Sequence, residues 1–359
     1  MIGVTGGGRS IAHTLEGCTV GHWATVGAVR SYLPSRTLTN DELSRETGWS
    51  AEAILAKTGI AERRIAAPDE CVSDMATCAC QRLLTECGVN GNTIEFLILC
   101  TETPDHLLPP TSCLVHSRLQ LPVSCATFDV NLGCSGYVYA LSIADAFIRS
   151  GRFRNGLVVT ADTYSKYINA GDRSVRTLFG DAASATWVRA AAEAGFLTFA
   201  LGTEGHGAQQ LIIPAGGTRQ PRNADTCVET VDRWGNRRSP NDLYMNGHAL
   251  LNFALERVPV AFDATLSQAG LSPAEIDWFV FHQASRVVLE RLQAKLNIPE
   301  ERFCILLRDV GNTVSSTIPI VLENVANRGQ LAAGQHLMLL GFGAGFSWGG
   351  TVLRWNGDK

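Results

Sequence analysis

Three polar side chains each come after a predicted buried strand. Cys134 follows the strand ATFDV and the turn NLG, and it precedes the predicted helix SGYVYALSIADAFIRSG. His282 follows the strand IDWFVF, and Asn312 lies in a glycine turn after CILLRDV. Ligands of α/β proteins bind at the carboxyl ends of strands. We therefore treat this cysteine, histidine and asparagine as candidates for a single site.

The position of Cys134 favours a nucleophile. A thiol at a strand-to-helix turn faces unpaired backbone N–H groups and the positive end of the helix dipole, which favour the thiolate. The same N–H groups could stabilise an oxyanion. Gly133 and Gly136 lie close on either side and allow a tight turn. The alternative interpretation is a cysteine that only packs in the core.

His282 and Asn312 are weaker candidates when each is taken alone. A histidine at a strand end is often a capped surface residue, and an asparagine beside Gly311 is often a turn residue. Among the eight histidines, His282 is the one that ends a wholly apolar strand. Its imidazole and the Asn312 amide can both donate a hydrogen bond to a substrate oxygen.

An internal repeat indicates how these residues meet. Residues 87–100 (CGVNGNTIEFLILC) and 269–282 (AGLSPAEIDWFVFH) share a glycine helix stop, a polar turn and an apolar strand, 182 positions apart. Each is preceded by an amphipathic helical stretch and followed by a second strand and a helix. Apolar strands that alternate with helices predict parallel sheets covered on both faces. We interpret the chain as two copies of one α/β unit, the alternative being chance similarity.

The predicted domain organisation follows from this repeat. Residues 1–22 are a flexible N-terminal extension, 23–195 form the first half with Cys134, and 196–359 form the second half. A polar, aperiodic stretch at 215–241 predicts a surface insertion or a flap over a site.

Composition excludes several classes of protein. The 359 residues are 45% hydrophobic and 18% charged, with a formal charge of −4, so a large core is expected and disorder is not. Neither nucleic acid nor a membrane surface is an expected partner, because like charges do not form long runs. The first 22 residues are not a signal peptide and no long apolar span exists, so we expect a cytoplasmic protein with reduced thiols.

No metal site is expected. Of the eleven cysteines, Cys71, Cys78, Cys80 and Cys87 cluster in one segment, but they form no C-x-x-C pair and have no histidine at ligand spacing. The segment is typical of a helix whose cysteines pack as small apolar residues.

Several motifs together resemble one family. They are TGIAERRIAAPDE, FDVNLGCSGYVYALSIADAFIRSG, LFGDAASA, MNGHALLNFAL, HQASR, GNTVSSTIP and GFGAGFSWGG, spread over residues 23–358. The chain resembles β-ketoacyl-acyl carrier protein synthase III, a branch of the thiolase-like condensing enzymes. The resemblance implies a thiolase-like fold of two duplicated α/β halves in five layers, αβαβα, and a homodimer in which the loop 100–110 extends toward the partner's acyl pocket.

The resemblance also implies a reaction. Cys134 would accept an acyl group from acyl-CoA, and His282 with Asn312 would hold the thioester oxygen of malonyl-acyl carrier protein during loss of CO₂. The backbone N–H groups of Cys134 and Ala344 would form the second oxyanion site. Charge develops only on oxygens that face fixed donors, so no metal or redox cofactor is expected.

The residues expected to bind substrate depart from the family in places. Where the family stacks the CoA adenine on a tryptophan, this chain has Ala53, and Trp49 is the candidate substitute. Arg173 matches the other adenine or phosphate contact. Leu251 stands where the family often has phenylalanine by the acyl pocket, and the resemblance places Phe342 at the substrate.

Two arginines are further candidates. Arg176 introduces a charge before Phe179 and could pair with a carboxylate-bearing primer, or could simply be solvated. Arg286 is the candidate for docking the carrier protein, although it lies one position earlier than in the family.

Two alternatives remain open. One is a related condensing enzyme or acyltransferase of secondary metabolism that uses the same three residues on another acceptor. The other, from a different class, is a non-catalytic acyl-CoA binding protein.

Overall fold

The computed structural model describes residues 22–357, so the predicted flexible extension at 1–22 lies outside the described residues except for its last position. The strands are β1 (Trp23–Tyr32), β2 (Arg36–Thr39), β3 (Glu62–Ile65), β4 (Phe96–Cys100), β5 (Ala126–Val130), β6 (Asn155–Asp162), β7 (Ala182–Ala191), β8 (Phe196–Thr203), β9 (Leu211–Ile212), β10 (Thr230–Val231), β11 (Arg237–Arg238), β12 (Tyr244–Met245), β13 (Trp278–Phe281), β14 (His336–Gly343) and β15 (Ser347–Arg354). The helices are α1 (Asn40–Thr47), α2 (Ala51–Thr58), α3 (Val72–Glu86), α4 (Thr111–Arg118), α5 (Gly136–Arg149), α6 (Arg173–Arg176), α7 (Gly247–Ala269), α8 (Arg286–Lys295) and α9 (Thr317–Asn327).

Two mixed sheets form the framework. The first has the order β1-β7-β6-β4-β5 and the second the order β13-β14-β15-β8. Strand β4 is parallel to β5 and β6, and β13 is parallel to β14, whereas β7 and β15 run antiparallel to their neighbours. The prediction of parallel sheets is therefore wrong in part. An apolar run shows that a strand is buried on both faces, but the length of the connection decides its direction, and the short turn between β14 and β15 permits only an antiparallel pair.

The two sheets repeat one topology. Strands β1, β7, β6 and β4 correspond in order to β8, β15, β14 and β13. The place of β5 in the second half is taken by a single parallel bridge between Phe279 and Phe303, so the strand predicted at CILLRDV, which begins at the next residue, is wrong. The side chain of Gln283 explains this, because its amide donates to the Cys304 carbonyl at 3.2 Å and accepts from the Leu306 N–H at 2.8 Å. These bonds satisfy backbone groups that a strand ladder would otherwise pair.

Five layers result from the packing of helices on these sheets. Helices α5 and α9 lie between the sheets, with α5 against β4 and β14 and α9 against β1 and β13. Helix α3 covers the outer face of the first sheet, and α7 covers the outer face of the second. One apolar cluster joins Tyr137 and Leu141 of α5 to Val280 and Leu339 of the second sheet. The αβαβα arrangement of a thiolase-like fold is confirmed.

The cysteine-rich segment forms α3, whose buried side includes Met75, Ala79, Cys80 and Leu83. Within residues 22–357, no group of three or more histidine, cysteine, aspartate or glutamate side chains is arranged to hold a metal ion. Over the same residues, no helix is both long and apolar enough to cross a bilayer.

Candidate active site

Cys134 lies directly before α5, where β14 of the other half comes closest to the helix start. Its sulfur accepts hydrogen bonds from its own backbone N–H and from that of Ala344. Gly343 makes this approach possible, because a Cβ there would lie 2.6 Å from the cysteine Cβ and 2.8 Å from Sγ. The two N–H groups that the resemblance predicts for an oxyanion site therefore both point at the sulfur.

The protonation state of Cys134 differs from the expectation. Burial, followed by the charges of Glu102 and Asp162, raises the pKa of the thiol well above its ordinary value, although the two N–H groups lower it. The helix start was expected to favour the thiolate. Desolvation outweighs the dipole here, because the thiol is almost completely enclosed. The Cys134 side chain is therefore a neutral thiol near pH 7.

His282 directly follows β13 and is buried, with 2% of its surface exposed. Its Nδ1 lies 2.8 Å from the hydroxyl of Thr317, and its ring meets the Phe342 ring edge-on at 5.5 Å. Burial lowers the pKa of His282 to about 3. The imidazole is therefore neutral near pH 7 and can act as a hydrogen-bond donor rather than as a cation.

Asn312 is held by backbone groups on both sides of its amide. Its Oδ1 accepts from the Val314 N–H at 3.0 Å, and its Nδ2 donates to the Ala284 carbonyl at 3.2 Å. Its own N–H donates to the Leu178 carbonyl at 2.9 Å, which ties this turn to the first half. Since an amide nitrogen carries two protons, one N–H of Asn312 remains available to a ligand.

An inner cavity of about 150 Å³ brings the three candidates together. Cys134, His282 and Asn312 all line it, and so do Leu251 and Phe342. Residues separated by nearly 180 positions thus meet at one small and largely apolar chamber.

A larger outer cavity of about 880 Å³ opens beside it and shares Leu178, Met245, Gly247, Leu251, Ser285 and Val288 with the inner one. Trp49 and Arg173 line this mouth, as do Lys57 and Arg291. Lys57 lies 4.1 Å from the centroid of the Trp49 ring. An aromatic ring with several cations suits a ligand that combines a flat base with phosphates.

The segment 215–241 contributes to this mouth. Its short hairpin β10–β11 presents Trp234, which is 57% exposed, at the outer cavity. Arg173 donates to the Trp234 carbonyl and also lies 5.0 Å from the centroid of Trp49. Arg173 is therefore already engaged by both tryptophans.

Two predicted residues are not brought to either cavity. Arg176 forms a 2.6 Å ion pair with Glu46, and it lines neither the inner nor the outer cavity. Arg286, the first residue of α8, packs its side chain over Gly59, and it lines neither cavity. The cation of α8 that reaches the mouth is Arg291.

Sequence reasoning missed residues that support the site. Ser347 donates to the Ala344 carbonyl at 2.7 Å and is hydrogen-bonded at 2.7 Å to Ser135, so two serines join the turn that carries Cys134 to the turn at Ala344. Glu102 lies two residues beyond the end of β4. The strand-end rule that found His282 could have found Glu102, whereas the serine contact, between residues 212 positions apart, has no local signal.

Comparison with known proteins agrees with this geometry. The family models "3-Oxoacyl-[acyl-carrier-protein (ACP)] synthase III" and its C-terminal counterpart match residues 128–205 and 266–355. The β-ketoacyl-[acyl-carrier-protein] synthase III of Caldanaerobacter subterraneus is 36% identical over 91% of this chain and 96% of its own.

Solved structures give the same result. A crystal structure of a 3-oxoacyl-(acyl-carrier-protein) synthase III superposes with a TM-score of 0.91 at 47% identity, covering 93% of this chain and all of that one. The priming β-ketosynthase of the R1128 polyketide pathway superposes at 0.82 with 32% identity, over 92% and 96% of the two chains. The chain therefore belongs to the 3-oxoacyl-[acyl-carrier-protein] synthase III family and is an acyl-transferring condensing enzyme of fatty acid biosynthesis.

Proposed function

We propose that the protein condenses an acyl-CoA primer with malonyl-acyl carrier protein, releasing CoA and CO₂ and forming a 3-oxoacyl-acyl carrier protein. In the first step the Cys134 sulfur attacks the thioester carbonyl, its proton leaves with the CoA sulfur, and an acyl-cysteine remains. The oxyanion formed on the way faces the backbone N–H groups of Cys134 and Ala344, which already point at the sulfur.

The second step uses the other two residues. The thioester oxygen of malonyl-acyl carrier protein lies between the imidazole of His282 and the free N–H of Asn312. Loss of CO₂ leaves an enolate on that oxygen, and neutral donors stabilise it without supplying a proton too early. Its carbon then attacks the acyl-Cys134 carbonyl and expels the thiolate. Every charge appears on an oxygen or sulfur that faces a fixed donor, so the proposal includes no metal or redox cofactor.

The outer cavity is the proposed entrance for both substrates. Lys57, Arg173 and Arg291 give it a basic lining, which complements the phosphates of CoA and an acidic carrier protein. Carrier docking is thus proposed to involve Arg291, with Arg286 lying outside the cavity. Trp49 and Trp234 are the aromatic surfaces available to the adenine.

We also propose a homodimer. Leu107 and Leu108, in the loop 100–110, are 86% and 81% exposed, and β5 lies at an open edge of the first sheet. Large apolar side chains of this kind are typical of a surface that a partner covers. A reduced nucleophilic cysteine fits the reducing cytoplasm, where we place the reaction.

The observation that carries the proposal is the shared cavity of Cys134, His282 and Asn312. The test combines intact-mass measurement after exposure to a panel of acyl-CoAs with detection of CO₂ on addition of malonyl-acyl carrier protein. We expect one acyl group per chain, absent in Cys134→Ser, and CO₂ release that is lost in Asn312→Ala. A protein that binds acyl-CoA without acylation of Cys134 would instead be a non-catalytic binding protein.

A second candidate is a condensing enzyme or acyltransferase of secondary metabolism. Arg173 lies 5.0 Å from the Trp49 ring centroid, and a base inserted between two flat groups needs about 7 Å, two ordinary contact distances. With Ala53 at the usual tryptophan position, this favours a donor that does not depend on the adenine. Comparison of acyl-CoA with acyl-carrier protein as donor separates the two candidates. An acyltransferase would also release no CO₂.

A further inference from the structure

A carboxyl group lies directly behind the turn that carries the nucleophile. A Cβ built on Gly133, the residue before Cys134, would lie 2.2 Å from Oε2 of Glu102 and 2.9 Å from Cγ1 of Val314. Consecutive Cα atoms are about 3.8 Å apart, so the Glu102 carboxyl lies within about 8 Å of the Cys134 Cα. The absence of a side chain at Gly133 therefore leaves the space that the carboxyl occupies.

The surroundings of Glu102 hold its carboxyl in place. The hydroxyl of Tyr164 donates to Oε2, and the tyrosine ring packs on Phe179, a wall residue of the inner cavity, with centroids 5.1 Å apart. Burial raises the pKa of Glu102, while the Tyr164 hydroxyl and the Gly133 backbone favour its ionised form. Within residues 22–357, Glu102 forms no ion pair with a lysine, arginine or histidine.

A second acid lies beside Glu102. Asp162, at the end of β6, accepts the Glu102 backbone N–H at 2.9 Å and the Ser315 hydroxyl. Burial and the charge of Glu102 raise the pKa of Asp162 to about 8, so Asp162 is mainly protonated near pH 7 and Glu102 is the acid whose charge acts on Cys134. Arg176, the cation once considered for a carboxylate-bearing primer, is paired with Glu46 and lines neither cavity.

We propose that Glu102 determines primer selectivity by charge, so that Cys134 accepts uncharged acyl groups and rejects those that carry a free carboxylate. This inference rests on the proposed function, because it concerns the acyl group that Cys134 takes from a thioester. A carboxylate at the far end of the acyl group would lie in the small inner cavity. The Glu102 carboxyl, which has no ion-pair partner among the described residues, lies behind the wall of that cavity.

The expected size follows from Coulomb's law. A unit charge on Glu102 and a primer carboxylate as far from it as the Cys134 Cα, about 8 Å, repel each other at an effective dielectric constant of about 20 enough to change a rate or an affinity about 30-fold. The effect applies to a primer throughout acylation, since the primer keeps its carboxylate. Malonyl-acyl carrier protein loses its carboxylate as CO₂, so repulsion of that group is relieved in the transition state and does not oppose the condensation.

The experiment compares butyryl-CoA with succinyl-CoA, which have chains of equal length and differ in the terminal carboxylate. Acylation of the purified full-length enzyme is followed by intact mass, without malonyl-acyl carrier protein. We expect wild type to strongly favour butyryl-CoA, and Glu102→Gln to narrow the ratio of the two rates about 30-fold, chiefly through faster reaction with succinyl-CoA.

Glu102→Asp serves as the matched control, since it keeps a carboxyl at this position, and it should retain the wild-type preference for butyryl-CoA. A ratio in Glu102→Gln within threefold of wild type, with Cys134 still acylated, would overturn the inference and leave the proposed function intact. Equal slowing with both donors would also overturn it, because it indicates a structural role. Failure of every donor to acylate wild-type Cys134 would overturn the proposed function itself.

Discussion

The hydroxyl of Thr317 is predicted to decide which nitrogen of His282 carries the proton. It has one proton and two acceptors within reach, namely Nδ1 of His282 at 2.8 Å and the carbonyl of Val314 at 3.1 Å. When it donates to Nδ1, the ring proton must be on Nε2, and His282 can donate to the substrate from that nitrogen. Thr317→Val keeps the volume of the side chain and removes this donor.

In the valine variant the other tautomer becomes favourable. The Val314 carbonyl also interacts with the His282 ring, and it would accept a hydrogen bond from Nδ1–H once the hydroxyl is gone. Nε2 would then face the enolate as an unprotonated acceptor. Loss of one oxyanion donor costs on the order of 10²–10³ in kcat, about 3–4 kcal/mol, and we expect a loss of about 100-fold in malonyl decarboxylation.

The assay separates the two half-reactions. Acylation of Cys134 does not use His282, so its rate in Thr317→Val should stay within about twofold of wild type while decarboxylation falls. Thr317→Ser keeps the hydroxyl and should recover most of the activity. Decarboxylation within fivefold of wild type in the valine variant would refute the tautomer assignment. A parallel loss of acylation would point to disturbed packing instead.

Three further predictions follow from the contacts of the nucleophile. Gly343→Ala places a Cβ 2.8 Å from the Cys134 sulfur, where about 3.5–4 Å is normal, and the resulting displacement of about 1 Å should slow acylation about 100-fold. Gly217→Ala is the control, since the space around Gly217 is open and acylation should keep its wild-type rate. Equal acylation rates in the two variants would contradict this reasoning. Because the pKa of Cys134 is raised, acylation should accelerate steadily with pH up to about 9, and a plateau near pH 7 would show a thiolate that burial does not suppress. Burial raises the pKa of Asp162 to about 8, so between about pH 4 and 8 the Asp162 carboxyl is protonated in the folded state and ionised in the unfolded state. The contribution of Asp162 to the free energy of unfolding therefore falls as the pH rises through that range. Denaturant unfolding should show that the free energy of unfolding of Asp162→Asn rises relative to that of wild type between pH 5 and pH 8. An equal difference between the two proteins at both pH values would exclude this coupling of Asp162 protonation to stability.

Much of the site could be predicted because its residues occupy positions that short stretches of sequence identify. Cys134 and His282 each follow a strand whose apolar run is plain in the sequence, and the repeat predicted that equivalent strand ends meet. The strand predicted at CILLRDV was wrong because the Gln283 amide satisfies backbone groups there. No local sequence pattern shows that a distant side chain will form the backbone hydrogen bonds that a neighbouring strand would otherwise provide.

The roles of charged residues were the least predictable. Arg176 was a candidate for a carboxylate partner, yet it pairs with Glu46, 130 positions away. The ionisable groups that raise the pKa of Cys134 are acids, Glu102 just beyond β4 and Asp162 at the end of β6. Such pairings depend on distances between elements rather than on spacing along the chain.

The sequence by itself determined which chemical groups are present and where the chain turns, because strand, helix and turn preferences are local and a duplicated order of elements is visible without coordinates. Only the tertiary structure decided how those groups behave. The neutral thiol of Cys134, the neutral imidazole of His282 and the acid behind Gly133 all arise from burial and from contacts between distant segments. Desolvation and Coulomb interactions depend on distance in space, and that distance exists only once the two halves have packed together.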